Sequence, residues 1–328
     1  MSNPAHRRLV TISIPVLNEE GNIDNLIERL QAVAAANQAF DFEFLVTDNA
    51  STDETFALLA AKAATEPRLR VLRFSRNFGF QRSILVNLMN ARGDAAIQID
   101  ADLQDPPELI SDFLQKWQQG YKVVYGIRRR RQENPVINFA RKIHYRLINA
   151  LSEVEVPLDA GDFRLIDRDV IEQLRTYQDG TPYLRGIIAS IGYSQIGIPY
   201  DRSARTSGTS KFDLLKNISL SIDGICSQST KPLQYITLFG FSVSALTVLL
   251  ILIYLAIYLV NYSAETRGFT TLVLLMLISI GLNAAFVGLL GEYIGRIYTT
   301  VRGGPTAVIA DCIDPIQPRS DNTGGSIP

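Results

Sequence analysis

Short runs of apolar and β-branched residues recur along the first part of the chain, separated by longer stretches in which apolar residues return every three or four positions. The runs are 9–16 (LVTISIPV), 42–47 (FEFLVT), 69–74 (LRVLRF), 95–99 (AAIQI) and 122–126 (KVVYG). The stretches 20–37, 52–65, 79–92 and 105–119 between them have helical character. Strand and helix alternating in this way predict an α/β domain with a mostly parallel sheet covered on both faces. Ligands of such sheets bind beyond the carboxyl ends of the strands, so functional side chains should follow the strands directly. Asn18, Glu19 and Glu20 follow the first run, Asp48 and Asn49 the second, Ser75, Arg76 and Asn77 the third, and Asp100 and Asp102 the fourth.

The pattern changes after Lys231. No charged residue occurs between Leu233 and Val260, nor between Phe269 and Gly291, and each stretch is long enough for a helix to cross a bilayer. Apolar character on every helix face favours lipid over a soluble core, so two transmembrane helices in a hairpin are expected. Lys211, Lys216 and Lys231 precede the first span, and Arg296 and Arg302 follow the second, whereas the short link NYSAETRG has only Arg267, balanced by Glu265. The positive-inside rule then predicts a multi-pass protein of the cell (inner) membrane with the α/β domain and both termini cytoplasmic. The expected division is 1–209 cytoplasmic α/β domain, 210–232 juxtamembrane segment, 233–261 and 269–292 membrane helices, and 293–328 cytoplasmic tail. Residues 210–232 mix apolar positions with Lys and Asp at helical spacing, which suits either a helix lying on the membrane surface or a connector packed on the domain. Gly281, Ala284, Ala285 and Gly288 offer a small-residue face for packing against copies of the chain, a homo-oligomer. From Ile313 onward the Pro, Gly and polar content predicts disorder.

Composition narrows the partners. Among 328 residues the formal net charge is -1, which gives no whole-chain argument for nucleic acid, so no nucleic-acid partner is expected and any electrostatic function is local. Cys226 and Cys312 lie far apart, and the only histidines are His6 and His144, so neither a disulfide framework nor a zinc site is predicted. The N-terminal HRRLVTISIPVL imitates a signal peptide, but Pro15 and the following Asn18, Glu19 and Glu20 read as a first strand leading into a site.

Capping accounts for some strand-end acids. STDE from Ser51 to Glu54 fits a capping box, with Asp48 left free of it, and Asp105-Pro106-Pro107-Glu108 fits a cap, a proline-led first turn and an N3 acid. Asp100 and Asp102 resist that explanation, because at a spacing of two on extended backbone both leave the same face and their charges repel. A divalent cation resolves the conflict, and the oxygen donors Asp100, Asp102 and Gln104 suit Mg²⁺ or Mn²⁺ with open positions for phosphate oxygens. A glycosidase carboxylate pair is disfavoured, since side chains two residues apart do not flank a scissile bond. No GxxxxGK[ST] or GxGxxG occurs, so phosphates must be held by metal and side chains. Arg128 to Arg131, then Arg141, Lys142 and Arg146, and later Arg202, Arg205, Ser210 and Lys211 in RSARTSGTSKF suit either substrate phosphate or anionic lipid headgroups.

Seven segments, SIPVLNEEGNI, VTDNASTDET, FSRNFGFQ, IDADLQDPPE, DAGDFRLIDR, RTSGTSKF and GEYIGRIY, resemble in order and spacing the family 2 glycosyltransferases of GT-A fold. The resemblance is to the polyprenyl-phosphate, dolichyl-phosphate-mannose-synthase-like group, in the bacterial branch that glucosylates undecaprenyl phosphate. Processive synthases of the superfamily carry QxxRW, and the only tryptophan here, Trp117, lies in QKWQQG. The resemblance implies that Pro15, Asn18, Glu20, Asp48, Arg76, Asp100 and Ala101 bind the nucleotide sugar, with Asp48 at the base. It further implies that Asp100, Asp102 and Gln104 serve the metal, and that Arg128, Arg141, Arg205, Ser210 and Lys211 hold the acceptor phosphate. Asp159 falls where the family sets an acid near the reacting centre, alongside Asp102; Asp162 is a further catalytic candidate whose competing reading is a loop carboxylate. Where the family often has Asp-Asp-Gly-Ser, this chain has Asp48-Asn49-Ala50-Ser51.

The implied reaction is inverting transfer of a hexose, by the resemblance glucose from UDP-glucose, to a polyprenyl phosphate, by the resemblance undecaprenyl phosphate. Two other readings stay open: a mannose-type synthase using GDP-mannose or another nucleotide sugar, and a membrane-tethered binding or lipid-transfer protein without turnover. A phosphate monoester has a second pKa of about 6, so the acceptor is largely dianionic near neutral pH and Asp159 is expected to orient or stabilise rather than abstract a proton.

Overall fold

The computed structural model describes residues 7–129, 160–177, 182–201, 231–260 and 269–315. Five strands follow the predicted runs: β1 (Arg8–Val16), β2 (Phe40–Asp48), β3 (Leu69–Phe74), β4 (Ala95–Gln98) and β5 (Val123–Arg128). The helices between them are α1 (Ile23–Ala36), α2 (Thr55–Ala63), α3 (Phe80–Asn90) and α4 (Ile110–Gln118), the last preceded by a 3-10 turn over Pro107–Leu109. Three strands were not anticipated: β6 (Ala160–Asp167), β7 (Gln195–Tyr200) and β8 (Ile309–Ile313). Helices α5 (Arg168–Leu174), α6 (Leu184–Ser190), α7 (Lys231–Val260) and α8 (Phe269–Arg302) complete the described elements.

The eight strands form one sheet in the order β7-β5-β6-β4-β1-β2-β3-β8. β1, β2, β3 and β4 run parallel, β6 is antiparallel to β4 and β5, and β8 is antiparallel to β3. Val10 to Val16 of β1 are all buried, as a central strand covered on both faces requires. On one face α1 buries Ile23, Leu26, Ile27, Leu30 and Val33, the i, i+3, i+4 stripe of a surface helix, beside Ile110, Phe113, Leu114 and Trp117 of α4. α3, α5 and α6 cover the other face through a second core containing Ile84, Leu88, Val170, Ile171, Ile187 and Ile188.

Several expectations are corrected. α2 begins at Thr55, four residues past Ser51, because the chain first turns through a left-handed residue at Ala50 (φ 62); Ser51 therefore lies too early to cap it, and Asp53 Oδ1 accepts the Thr55 amide instead. Glu108 forms no capping bond but pairs with Arg29 of α1 through two bonds of 2.6 and 3.1 Å. The second long helix passes the expected end at 292 and runs to Arg302, where Gly303 (φ +65) and Gly304 (φ +129) before Pro305 turn the chain away. Ile313 does not open a disordered tail: it pairs with Val71 in β8, and Asp314 is bonded to Arg92. Among the described residues, Ile278–Arg302 is an exposed helical stretch of 25 residues, mean hydropathy 1.4, long and apolar enough to cross a membrane, and Leu233–Val243 is a shorter apolar helical stretch.

Candidate active site

Strand ends along the middle of the sheet open into a cleft of about 330 Å³. Its walls are Pro15, Val16, Leu17 and Glu19 after β1, Asn49 after β2, Asn77, Gly79, Phe80 and Ser83 around the start of α3, and Asp100, Ala101 and Asp102 after β4. Three non-glycine residues with positive φ border it, Asn18 (56), Ala50 (62) and Leu103 (55), one after each of β1, β2 and β4. Such conformations persist where surrounding bonds hold them. Here Asn18 Oδ1 accepts the Thr52 amide at 2.8 Å, Ser51 Oγ accepts the Asn18 amide at 2.9 Å, and a Glu20 carboxylate oxygen accepts the Glu54 amide at 3.0 Å. Asn18 and Glu20 thus stitch the first two strand-end loops together.

Asp48 is fully buried beneath this seam and, contrary to expectation, makes the turn: its Oδ1 accepts the Ser51 amide at 2.9 Å. Its other oxygen lies 3.2 Å from Arg73 Nε, close enough for an ion pair though not aligned as a hydrogen bond. Asn49 is spent on the next loop, its Nδ2 donating to Asn77 Oδ1 and its Oδ1 accepting the Phe78 amide, both at 2.9 Å. Arg76 is exposed and lies over the Phe78 ring at 4.0 Å.

Asp100 Oδ1 is sealed from solvent and has no hydrogen-bond partner. Burial first, then the charges of Asp162, Asp105 and Asp102, push its carboxyl up to about 7, against the pull of Arg128. Asp102 Oδ1 accepts the Gln104 amide at 3.2 Å. Asp105 is not a helix cap, since the following turn starts at Pro107; its carboxylate accepts from Tyr200 Oη at 2.5 Å and from Arg128 Nη2 at 3.1 Å. Arg128 reaches it by crossing Gly161, where a Cβ would stand 3.1 Å from its guanidinium, so a side chain at 161 would crowd it. Burial works against the Arg128 charge, but Asp105 and Tyr200 hold its pKa above the usual value.

Asp162 lies in a strand, not a loop, because β6 carries it antiparallel beside β4 to the same end of the sheet. Burial opposes its charge, yet a bidentate pair with Arg185, 2.8 Å in both bonds, together with Arg164 and Arg128, keeps its pKa below the ordinary carboxylate range. Fully buried Arg164 is lowered by desolvation to about 10 even with Asp162 beside it. Arg185 is the partner of Asp162 that the sequence did not reveal, since nothing in TPYLRG links it to an acid 23 positions earlier. Asp159, Arg141, Arg205, Ser210 and Lys211 lie outside the described residues.

The donor set fits a divalent cation. A carboxylate oxygen buried without a proton donor, beside a second carboxylate, is a hard-oxygen site that an ion stabilises. No group of three or more His, Cys, Asp or Glu is arranged to hold an ion among the described residues. Asp100 and Asp102 would therefore supply two ligands and leave the remaining positions to a bound molecule.

Residues 11–175 match the Glycosyl transferase family 2 model. The uncharacterized glycosyltransferase YkcC of Bacillus subtilis (strain 168) is 35% identical over 303 residues, 91% of this chain and 92% of that protein. The chain is a family 2 glycosyltransferase. The bactoprenol glucosyl transferase of Shigella phage SfII is 32% identical over 301 residues, 92% of this chain and 97% of its own. Among solved structures, the mannosyltransferase PcManGT from Pyrobaculum calidifontis, in complex with GDP-Man and Mn²⁺, aligns with TM-score 0.50 at 18% identity, over 92% of this chain and 88% of that one. That likeness gives this glycosyltransferase its GT-A-type sheet and helices. The family match ends at Arg175, so Arg185 and Tyr200, which secure Asp162 and Asp105, come from beyond it.

Proposed function

We propose that this glycosyltransferase moves a hexose from a nucleotide diphosphate sugar to a polyprenyl phosphate, with glucose from UDP-glucose and undecaprenyl phosphate as substrates, in one inverting displacement. The observation that carries the reading is Asp100, which lines a strand-end cleft beside Asp102 and has one buried carboxylate oxygen that no protein group meets. The similarity over nearly full length to a bactoprenol glucosyl transferase supports the acceptor class. A GT-A-type relative in complex with GDP-Man and Mn²⁺ supports a nucleotide-sugar donor and a divalent ion. Mg²⁺ or Mn²⁺ on Asp100 and Asp102 would neutralise charge on the donor's diphosphate.

The chain's own residues then orient two anions. Asn49, Asn77 and the 15–19 segment wall the nucleotide. Arg141, Arg205, Ser210 and Lys211 bind the acceptor phosphate, and Asp159 orients the reacting oxygen. Arg128, already bonded to Asp105, adds positive potential at the cleft edge rather than a free fork. Holding both reactants in one geometry removes much of the entropic cost of bringing them together. The hairpin of α7 and α8 spans the membrane and holds the cleft near the lipid phosphate; the return of β8 to β3 supports it, since the chain beyond α8 rejoins the domain that precedes α7.

The test incubates purified full-length protein with a panel of nucleotide sugars, Mg²⁺ or Mn²⁺ and undecaprenyl phosphate, and weighs the lipid product. Addition of a hexose to the lipid in the presence of a divalent ion is expected. Release of free sugar without a lipid product would refute the acceptor.

A further inference from the structure

We infer that β8, the strand that returns from the end of α8, is a positioning element of the nucleotide pocket. The inference rests on the reading that the cleft takes a nucleotide sugar, and it concerns the loop Ser75–Gly79, which joins β3 to α3 and forms one wall. Four of that loop's five residues are exposed, Phe78 excepted, so the loop has little buried surface of its own to fix it. Two sets of contacts hold it.

On the inner side Asn49 donates to Asn77 Oδ1 and accepts from the Phe78 amide, while the Gly79 amide also donates to Asn77 Oδ1. Asn77 is thereby fixed as acceptor on that oxygen, and the residue at 49 must offer a donor. An acid at 49, where the family often has its second Asp, would set two acceptors against each other.

On the outer side the contacts come from the chain's far end. The Ser75 amide donates to the Val308 carbonyl at 3.0 Å. Phe78, Ala307 and Ile309 pack on one small buried cluster, Leu45, Leu72, Phe74 and Val86, and the Phe78 ring meets Phe74 edge-on at 5.7 Å. Pairing of Val71, Leu72 and Arg73 with Ile313, Cys312 and Asp311 keeps this segment in register, and the bond between Arg92 and Asp314 closes its end. Gly303 and Gly304 supply the left-handed backbone that brings the chain back after α8. The wall bearing Asn77 and Gly79 is therefore seated against residues that follow the second long helix.

A loop in its pocket-forming position only a tenth of the time weakens apparent affinity about tenfold. Ile309→Ala in the full-length chain, titrated with UDP and with GDP in the presence of Mn²⁺, is expected to raise Kd about tenfold. In turnover it raises KM for the nucleotide sugar, while kcat and KM for lipid phosphate stay within about twofold. Ending the chain after Thr306 should weaken binding further, whereas ending it after Pro315, with β8 intact, should leave binding at the full-length value. Circular dichroism reports whether the shortened chain folds; if it does not, Ile309→Ala decides alone. Equal Kd and KM for Ile309→Ala and the parent overturn the inference, as does a fall in kcat without a change in KM. A parent protein that binds neither nucleotide overturns the proposed function instead.

Discussion

Replacing Arg185 with methionine keeps much of the side chain's length and apolar stem while removing the charge that faces Asp162. Arg185 donates to Asp162 through two bonds of 2.8 Å, and the side chains are 32% and 12% exposed, respectively. Taking one partner from a buried ion pair costs about 3–5 kcal/mol, because the other charge stays behind desolvated. The partial exposure of Arg185 argues for the lower end, about 3 kcal/mol. Asp162 would be left beside Asp100, with Arg164 and Arg128 for relief. For a domain of this size each kcal/mol is about 2–4 °C in Tm, so Arg185→Met should melt roughly 6–12 °C below the parent. The assay is a circular-dichroism melt of the full-length chain in detergent. Asp162→Asn in the Arg185→Met background removes the stranded charge and should recover at least half of the loss. A drop below about 2 °C for Arg185→Met, or a double variant no more stable than Arg185→Met, would show that the pair is not what holds Asp162 ionised.

Four shorter tests bear on the site and its frame. Asp102→Asn should abolish metal-dependent nucleotide binding and lower transfer by about 10²-fold or more; unchanged transfer removes Asp102 from the mechanism. Arg205→Ala should raise KM for lipid phosphate more than KM for nucleotide sugar, and equal effects on both count against the acceptor assignment. Ala50→Gly relieves a left-handed alanine that costs about 1–2 kcal/mol, offset by about 0.5–1 kcal/mol of extra chain entropy, so Tm should rise by a few degrees; a fall would mean the methyl group is needed. Glu66, hydrogen-bonded by Arg68 and Gln31, is held at about 2, below the ordinary 4.5. A depressed carboxyl stabilises the fold above its unfolded pKa and loses that contribution as pH falls from 4.5 towards 2. Glu66→Gln should therefore flatten the acid limb of the stability curve in that window, and an unchanged limb would contradict the pairing.

The parallel half of the sheet was legible because β1 to β5 and α1 to α4 each carry their own period; of the residues that the strand-end rule brought forward, Glu19, Asn49, Asn77, Asp100 and Asp102 line the cleft, whereas Asn18, Glu20, Asp48, Ser75 and Arg76 do not. β6, β7 and β8 were not legible for separate reasons. GDFRLID places Asp162 and Asp167 in a strand where partners 23 and 50 positions away, Arg185 and Trp117, tie them up, while buried Arg164 bonds the nearby Gly161 carbonyl; polar groups turned to the interior erase the alternation of a half-buried strand. QIGIPY carries Gly197 and Pro199 at a sheet edge, where a proline is tolerated but reads as a break. IADCI follows a long apolar helix, and only its pairing with β3, more than two hundred positions earlier, makes it a strand. The caps failed in the same way: Ser51 and Asp105 sit at plausible offsets, but a left-handed turn at Ala50 and a tyrosine 95 residues away decide what they bond.

The distribution of partners sets Asp100 apart from the three acids around it. Asp105 is bonded to Tyr200 and Arg128, and Asp162 to Arg185, so the two acids behind the cleft are matched by side chains from β5, β7 and α6. Asp102 is turned partly to the Gln104 amide. Asp100 alone of these presents a sealed oxygen that no protein group meets. Adding a basic side chain nearby would satisfy it permanently and close the cleft to a cation. Burial and the neighbouring charges of Asp162, Asp105 and Asp102 instead raise its carboxyl to about 7, a perturbation of the kind that gathers at functional positions.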